Sequence, residues 1–74
     1  MPKLSPEKPN TVIKVLKKLQ FKFIRQSGSH AIFRHPDGRW TTVPVHPGKD
    51  VSKGILKKIL KDAGISVEDF NKLK

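Results

Sequence analysis

Residues 21–45 read FKFIRQSGSHAIFRHPDGRWTTVPV, and this stretch decides the fold. Its apolar and β-branched residues fall into three short runs separated by turn chemistry. Phe21 to Gln26 carries Phe21, Phe23 and Ile24. His30 to His35 centres on Ile32 and Phe33, and Arg39 to Val45 holds Trp40, Thr41, Thr42 and Val43. Ser27-Gly28-Ser29 is a short turn. Pro36-Asp37-Gly38 is a hairpin signal, because Asp-Gly accepts the positive φ of a tight turn. Pro44 lacks an amide donor and marks a strand terminus or an edge. Three antiparallel strands follow from this reading.

Helical patterns flank the strands. Val12, Ile13, Val15, Leu16 and Leu19 recur at helical spacing, with Lys14, Lys17 and Lys18 between them, so an amphipathic helix ends near Gln20. Its start has two candidates: a cap at Asn10 or Thr11, or Ser5 capping with Pro6 in the first turn. After the loop His46-Pro47-Gly48-Lys49-Asp50, a second helix starts from Ser52 or Asp50. It carries the stripe Ile55, Leu56, Ile59, Leu60 and Ala63 and ends before Gly64. Ser66-Val67-Glu68-Asp69 opens a short third helix. The expected architecture is α+β, in the order α-β-β-β-α. Two helices cover one face of a three-stranded sheet, a short C-terminal helix follows, and the other sheet face is open to solvent.

Length and composition narrow the class. The chain has 74 residues, which predicts one domain over residues 1–74 with residues 1–6 as an extended lead-in. A body this small buries roughly 60% of its unfolded surface, so its core is modest. There is no cysteine, which removes disulfides and thiolate metal sites. The first residues contain no apolar signal-peptide core, and no apolar run approaches the ~20 residues of a membrane span. A cytoplasmic protein is the expectation. Lys and Arg number 16 against 6 Asp and Glu, a net charge of +10. Such a surface attracts polyanions, with nucleic acid ahead of an anionic membrane or an acidic protein. Membrane binding fits poorly, because the apolar helix faces are needed by the core and neither carries Trp or Phe.

Period two assigns the strand faces. If Phe33 points into the core, Ala31 and His35 share its side, and His30, Ile32 and Arg34 face solvent. The opposite register buries Arg34 with no strand carboxylate to pair it, which is costly. His30 therefore stands exposed directly after Gly28-Ser29, and Gly28 permits close approach of another backbone. Arg34 lies on the same face, and Lys22 or Arg25 adds charge from the neighbouring strand. An imidazole among cations suits ribose-phosphate cleavage: it takes the 2′-hydroxyl proton while the cations stabilise the phosphoryl oxygens. A plain solvated histidine is the competing reading. Lys53, Lys57 and Lys61 recur every four residues along one helix face, with Lys49 near the helix start, as candidate phosphate ligands. His35 and His46 read as turn and loop residues. The three histidines lack metal-ligand spacing, and no cofactor is called for.

Ser27-Gly28-Ser29-His30, followed by Ile32-Phe33-Arg34-His35-Pro36-Asp37-Gly38, Thr42-Val43-Pro44-Val45-His46 and Ala63-Gly64-Ile65-Ser66, resembles the HicA toxin family. The resemblance implies a fold like that of double-stranded-RNA-binding domains. It further implies an mRNA interferase that cleaves RNA without a metal, and a HicB-like antitoxin partner. His30 takes the place of the family's catalytic histidine, Gly28 and Ser29 complete the motif, and Lys49, Lys53 and Lys57 fall in the phosphate-binding region. Members often have a second histidine where this chain has Ala31. They usually have glycine at the exit of the first helix, where this chain has Gln20, so a different exit is expected. A non-catalytic RNA-binding module is the alternative to an enzyme.

Overall fold

A computed structural model describes residues 3–74. Helix α1 spans Pro9–Lys18, and strands β1, β2 and β3 span Lys22–Ser27, His30–Arg34 and Trp40–Pro44. Helices α2 and α3 span Lys53–Ala63 and Val67–Leu73. The three strands pair antiparallel in the order β1-β2-β3. The predicted α+β order, with its additional C-terminal helix, is the observed one. Of the lead-in, Met1 and Pro2 lie outside the described residues. Residues 3–6 carry no regular structure, and Glu7 bridges Val51 just ahead of α2.

Helix α1 begins differently from either expectation. Lys8 is its N-cap without a side-chain bond, and Pro9 occupies the first helical position. Proline fits there because its φ is already helical and its missing amide would have had no partner. Helix α2 starts at Ser52, whose hydroxyl accepts from the Ile55 amide, and α3 starts at Ser66, whose hydroxyl accepts from Asp69. Two helices then end in the same way. In α2, Ile65 N–H donates to Leu60 and Gly64 N–H to Lys61, with Gly64 left-handed at φ 73. In α1, Phe21 N–H donates to Leu16 and Gln20 N–H to Lys17, with Gln20 left-handed at φ 74. The exit expected to differ is therefore retained, with glutamine in a conformation that favours glycine. It is kept because the reversal delivers Phe21 to the core, where it is buried with Leu16.

One face of the sheet carries the core. Val12, Val15 and Leu16 of α1 and Leu56, Ile59, Leu60 and Ala63 of α2 are buried with Ala31, Phe33 and Val43 of the sheet. Phe70 closes the cluster from α3. The predicted alternation of β2 holds: Ala31 and Phe33 are buried, and His30 and Arg34 are exposed. Strand β1 is the exposed strand of the sheet. All six of its residues are exposed, and Phe23 and Ile24 are each 53% accessible. It lies at the sheet edge, and its one aromatic residue, Phe23, packs edge-to-face with Phe33, with centroids 5.8 Å apart. Ile24 forms a bulge, since Phe23 pairs with Phe33 and Arg25 with the next residue, Ile32.

The β2–β3 hairpin is clamped to the end of α2. The Asp37 carboxylate accepts from the Arg39 amide at 3.0 Å and from Arg39 Nε at 2.8 Å. The same guanidinium lies 5.4 Å from the Phe21 ring centroid and donates through Nη1 to the carbonyl of Ala63, the last residue of α2. His35 is more than a turn residue: its ring stands edge-on to Phe21 at 5.2 Å. Thr41, buried in the core, donates to the Asp62 carboxylate at 3.1 Å.

Two predictions follow from these ends. Gln20 is exposed, so Gln20→Gly removes left-handed strain without removing packing. Strain relief outweighs the added unfolded-state entropy, and a gain of about 0.5–1 kcal/mol is expected. A higher urea midpoint checks this, and an unchanged or lower midpoint contradicts it. The second concerns acid. The Arg39 backbone amide, first, and then its guanidinium and His35 hold the Asp37 carboxyl below its ordinary 3.8, against an opposing desolvation. A lowered native pKa contributes stability that is present above the ordinary value and lost as pH falls through the native one. The advantage of the wild type over Asp37→Asn should be constant down to about pH 4 and shrink below it. Thermal unfolding across pH checks this, and a gap that persists to about pH 2 contradicts it.

Candidate nucleic-acid interface

The open sheet face is organised by strand register into three rows. Ser27, His30 and Pro44 lie abreast, then Arg25, Ile32 and Thr42, then Lys22, Arg34 and Trp40. Antiparallel partners point to the same side, so each row is a line of side chains across the sheet. The bulge at Ile24 sets the last row. Counting regularly back from Ser27 opposite His30 puts Phe23 opposite Arg34; the extra residue puts Lys22 there instead. None of the three strands contains Asp or Glu.

His30 owes its position to the turn before it. Gly28 and Ser29 make the two-residue link, with Gly28 left-handed at φ 58. A Cβ on Gly28 would meet nothing within 4 Å, so the backbone angle, and not crowding, is what requires glycine. The Gln26 side chain donates to the Gly28 carbonyl at 3.0 Å. The Ser29 carbonyl accepts from Val45 at 2.7 Å, which carries the β2–β3 pairing past His30. The first residue of β2 is thereby fixed in backbone while its ring remains exposed.

The His30 ring borders a cleft of about 450 Å3 between the edge strand β3 and the start of α2. His46, Lys49, Asp50, Ser52, Ile55 and Lys58 also line it. The His30 and His46 rings face each other edge-on, with centroids 6.4 Å apart. Lys58 lies 3.7 Å from Asp62, one helical turn further along α2. The first α2 residue whose amide bonds back into the helix is Leu56, to the Ser52 carbonyl, so the Lys53 and Gly54 amides precede the helical ladder. Two imidazoles, two ammonium groups and the positive end of a helix dipole thus share one opening with a single carboxylate, Asp50. This set can exchange protons and hold an anion.

The residues expected to act together are partly separated. Lys49 lies in the cleft with His30. Arg34 is on the same sheet face but four residues along β2, about 13 Å away. Lys57 and Lys61 border a groove with Leu60, Ile65 and Val67, on the flank of α2 facing α3. Lys53 and Lys57 border another with Leu4. Lys53, Lys57 and Lys61 therefore border grooves that do not include His30, and Lys58 lies between, lining both the His30 cleft and the groove beside α3. Sequence reading placed Lys58 only with the general basic region of the second helix, and it missed His46 and Trp40 as members of these surfaces. A signal for Lys58 existed in its spacing from Ile55 and Ile59, both of which line the cleft. Among the described residues, no three His, Asp or Glu side chains gather as metal ligands, and no helix is long and apolar enough to cross a membrane.

Comparison with known proteins adds the biological setting. No curated protein matches the chain. Residues 9–65, from the first turn of α1 to just beyond α2, match the family model described as the HicA toxin of bacterial toxin–antitoxin systems. The match takes in the turn that fixes His30, the open sheet face and the whole of the cleft-lining helix, and on it the chain belongs to the HicA toxin family, whose members have cognate antitoxins.

Proposed function

We propose that this toxin is an endoribonuclease that cleaves mRNA at the cleft between β3 and α2, with His30 as the general base. The observation that carries the reading is the meeting of His30 and His46 across one opening with Lys49 and Lys58. In the proposed step, a nitrogen of His30 accepts the proton of a ribose 2′-hydroxyl, and that oxygen bonds to the adjacent phosphorus. The bond from phosphorus to the 5′-oxygen breaks. His46, entering the step protonated, gives its proton to the departing oxygen. The products are a 2′,3′-cyclic phosphate and a 5′-hydroxyl, and water restores the two imidazoles. Lys49 and Lys58 stabilise the charge that builds on the phosphoryl oxygens.

Gly28 and Ser29 act by fixing the backbone of His30. Arg34 lies too far along β2 to reach the same phosphate and serves RNA further along the strand. Lys53, Lys57 and Lys61 attract RNA to the opposite flank of α2 and contribute to affinity without touching the reaction. An antitoxin with carboxylates against the cleft and the open face excludes RNA by competing for the same cations.

Incubation of the purified toxin with single-stranded RNA in EDTA should give cyclic-phosphate ends. His30→Ala should lower the rate about 10²–10⁴-fold and His46→Ala by a lesser factor, with native circular dichroism in both. A base and an acid working together should also give a bell-shaped dependence of rate on pH, which His46→Ala flattens on its alkaline side. Cleavage by His30→Ala at the wild-type rate overturns the reading. Salt-sensitive binding with no product in the wild type identifies a non-catalytic RNA-binding module instead.

A further inference from the structure

We infer that Trp40 is a stacking platform for an unpaired base of single-stranded RNA, and that Lys22, Arg25 and Arg34 guide the strand from it to His30. The inference deepens the nuclease reading and rests on it for the nature of the ligand. Trp40 is the chain's one tryptophan and is 61% exposed, the most accessible large apolar side chain among the described residues. It stands at the end of the row Lys22, Arg34, Trp40. Lys22 and Arg34 also border a shallow groove of about 260 Å3 with Ile24 and Pro36. Among the described residues, the cations seen over aromatic rings are on Phe21 and Phe70, so no cation covers the indole. An exposed aromatic plane beside cations, on strands that carry no carboxylate, is the composition that holds single strands: bases stack on the ring, and phosphates follow the charge.

The geometry links this platform to the cleft. Trp40 and Pro44, the partner of His30, are four residues apart on β3, a separation of about 13 Å. That is the length of no more than about four stacked nucleotides. Thr42 lies between them on the same face and lines the His30 cleft, as Pro44 does, so the surface is continuous. Arg25 borders the path from the β1 side. A duplex keeps its bases paired and offers none to the indole, so the platform selects single-stranded substrate. The selection acts at a place separate from the bond that breaks.

The chain has one tryptophan and no tyrosine, so indole emission reports Trp40 alone. In a His30→Ala background, titration with a short single-stranded RNA of mixed sequence should quench this emission saturably, and the matching duplex should quench it far less. Trp40→Ala in the same background should weaken binding of the labelled strand about 5- to 100-fold, and Trp40→Phe should recover most of the loss. Arg34→Ala should lower the slope of log affinity against log salt by about 0.7. RNA binding without a change in emission, or a Trp40→Ala protein with the parent's affinity, overturns the inference. An unchanged RNA affinity joined to a loss of antitoxin binding overturns it too, and makes the row a protein surface. The two readings fail separately. A wild type that binds and quenches but forms no product refutes the nuclease and supports the platform. A wild type that cleaves while Trp40→Ala binds and cleaves equally refutes the platform alone.

Discussion

Arg39 holds together three parts of the chain through one side chain. Its guanidinium is fixed by Asp37 within the hairpin, lies against Phe21 at the exit of α1, and donates to the final carbonyl of α2. A helix end leaves carbonyls unbonded, and a cation there satisfies one of them and opposes the helix dipole. The contact therefore orients α2 relative to β3, its neighbour across the cleft. In a chain with so small a core, the angle between strand and helix cannot be left to apolar packing alone, which is non-directional. Thr41 and Asp62 add a second directional contact one step along the same seam.

Charge in this molecule is sorted by element. The acidic residues lie in loops and helices. Glu7 binds Lys74, Asp37 binds Arg39, Asp62 meets Lys58, and Glu68 meets Lys72. The strands carry cations only. Exposed ion pairs of this kind add little stability. The open sheet face, with Lys22, Arg25 and Arg34 and no strand carboxylate, is left positive. In the proposed reading, RNA and antitoxin meet the same positive face, and an antitoxin that occupies it excludes the substrate.

Much of this was legible in the residues themselves. The cost of burying Arg34 without a partner set the register of β2, and through it the exposure of His30. Ser52, Gly64 and Ser66 mark helix ends by local chemistry that needs no tertiary knowledge. Other features depend on contacts that the sequence does not display. Gln20 takes a left-handed angle because the core needs Phe21, and glutamine itself gives no sign of it. Phe23 and Ile24 have the composition of a core strand, yet β1 lies past the helices that would bury them. Helical spacing showed that Lys53, Lys57 and Lys61 share a face, but a period carries no information about what that face looks toward. Lys58 required the rotation of α2, which is fixed by Arg39 and the core. The pairing of His30 with His46 required the path of an irregular loop.

The bulge at Ile24 has a consequence beyond the alignment of Lys22 with Arg34. Strand β1 ends the sheet, with half-exposed Phe23 and Ile24 along it, and such an edge is a template on which a second copy can add its own strand. Continued pairing of that kind needs evenly spaced amides and carbonyls. The extra residue breaks the spacing near the middle of β1, and Lys22 and Arg25 place like charges to either side of the break. A neighbouring β1 would meet both a faulty ladder and its own charge. One inserted residue thus makes the uncovered edge of β1 a poor template for the addition of another strand.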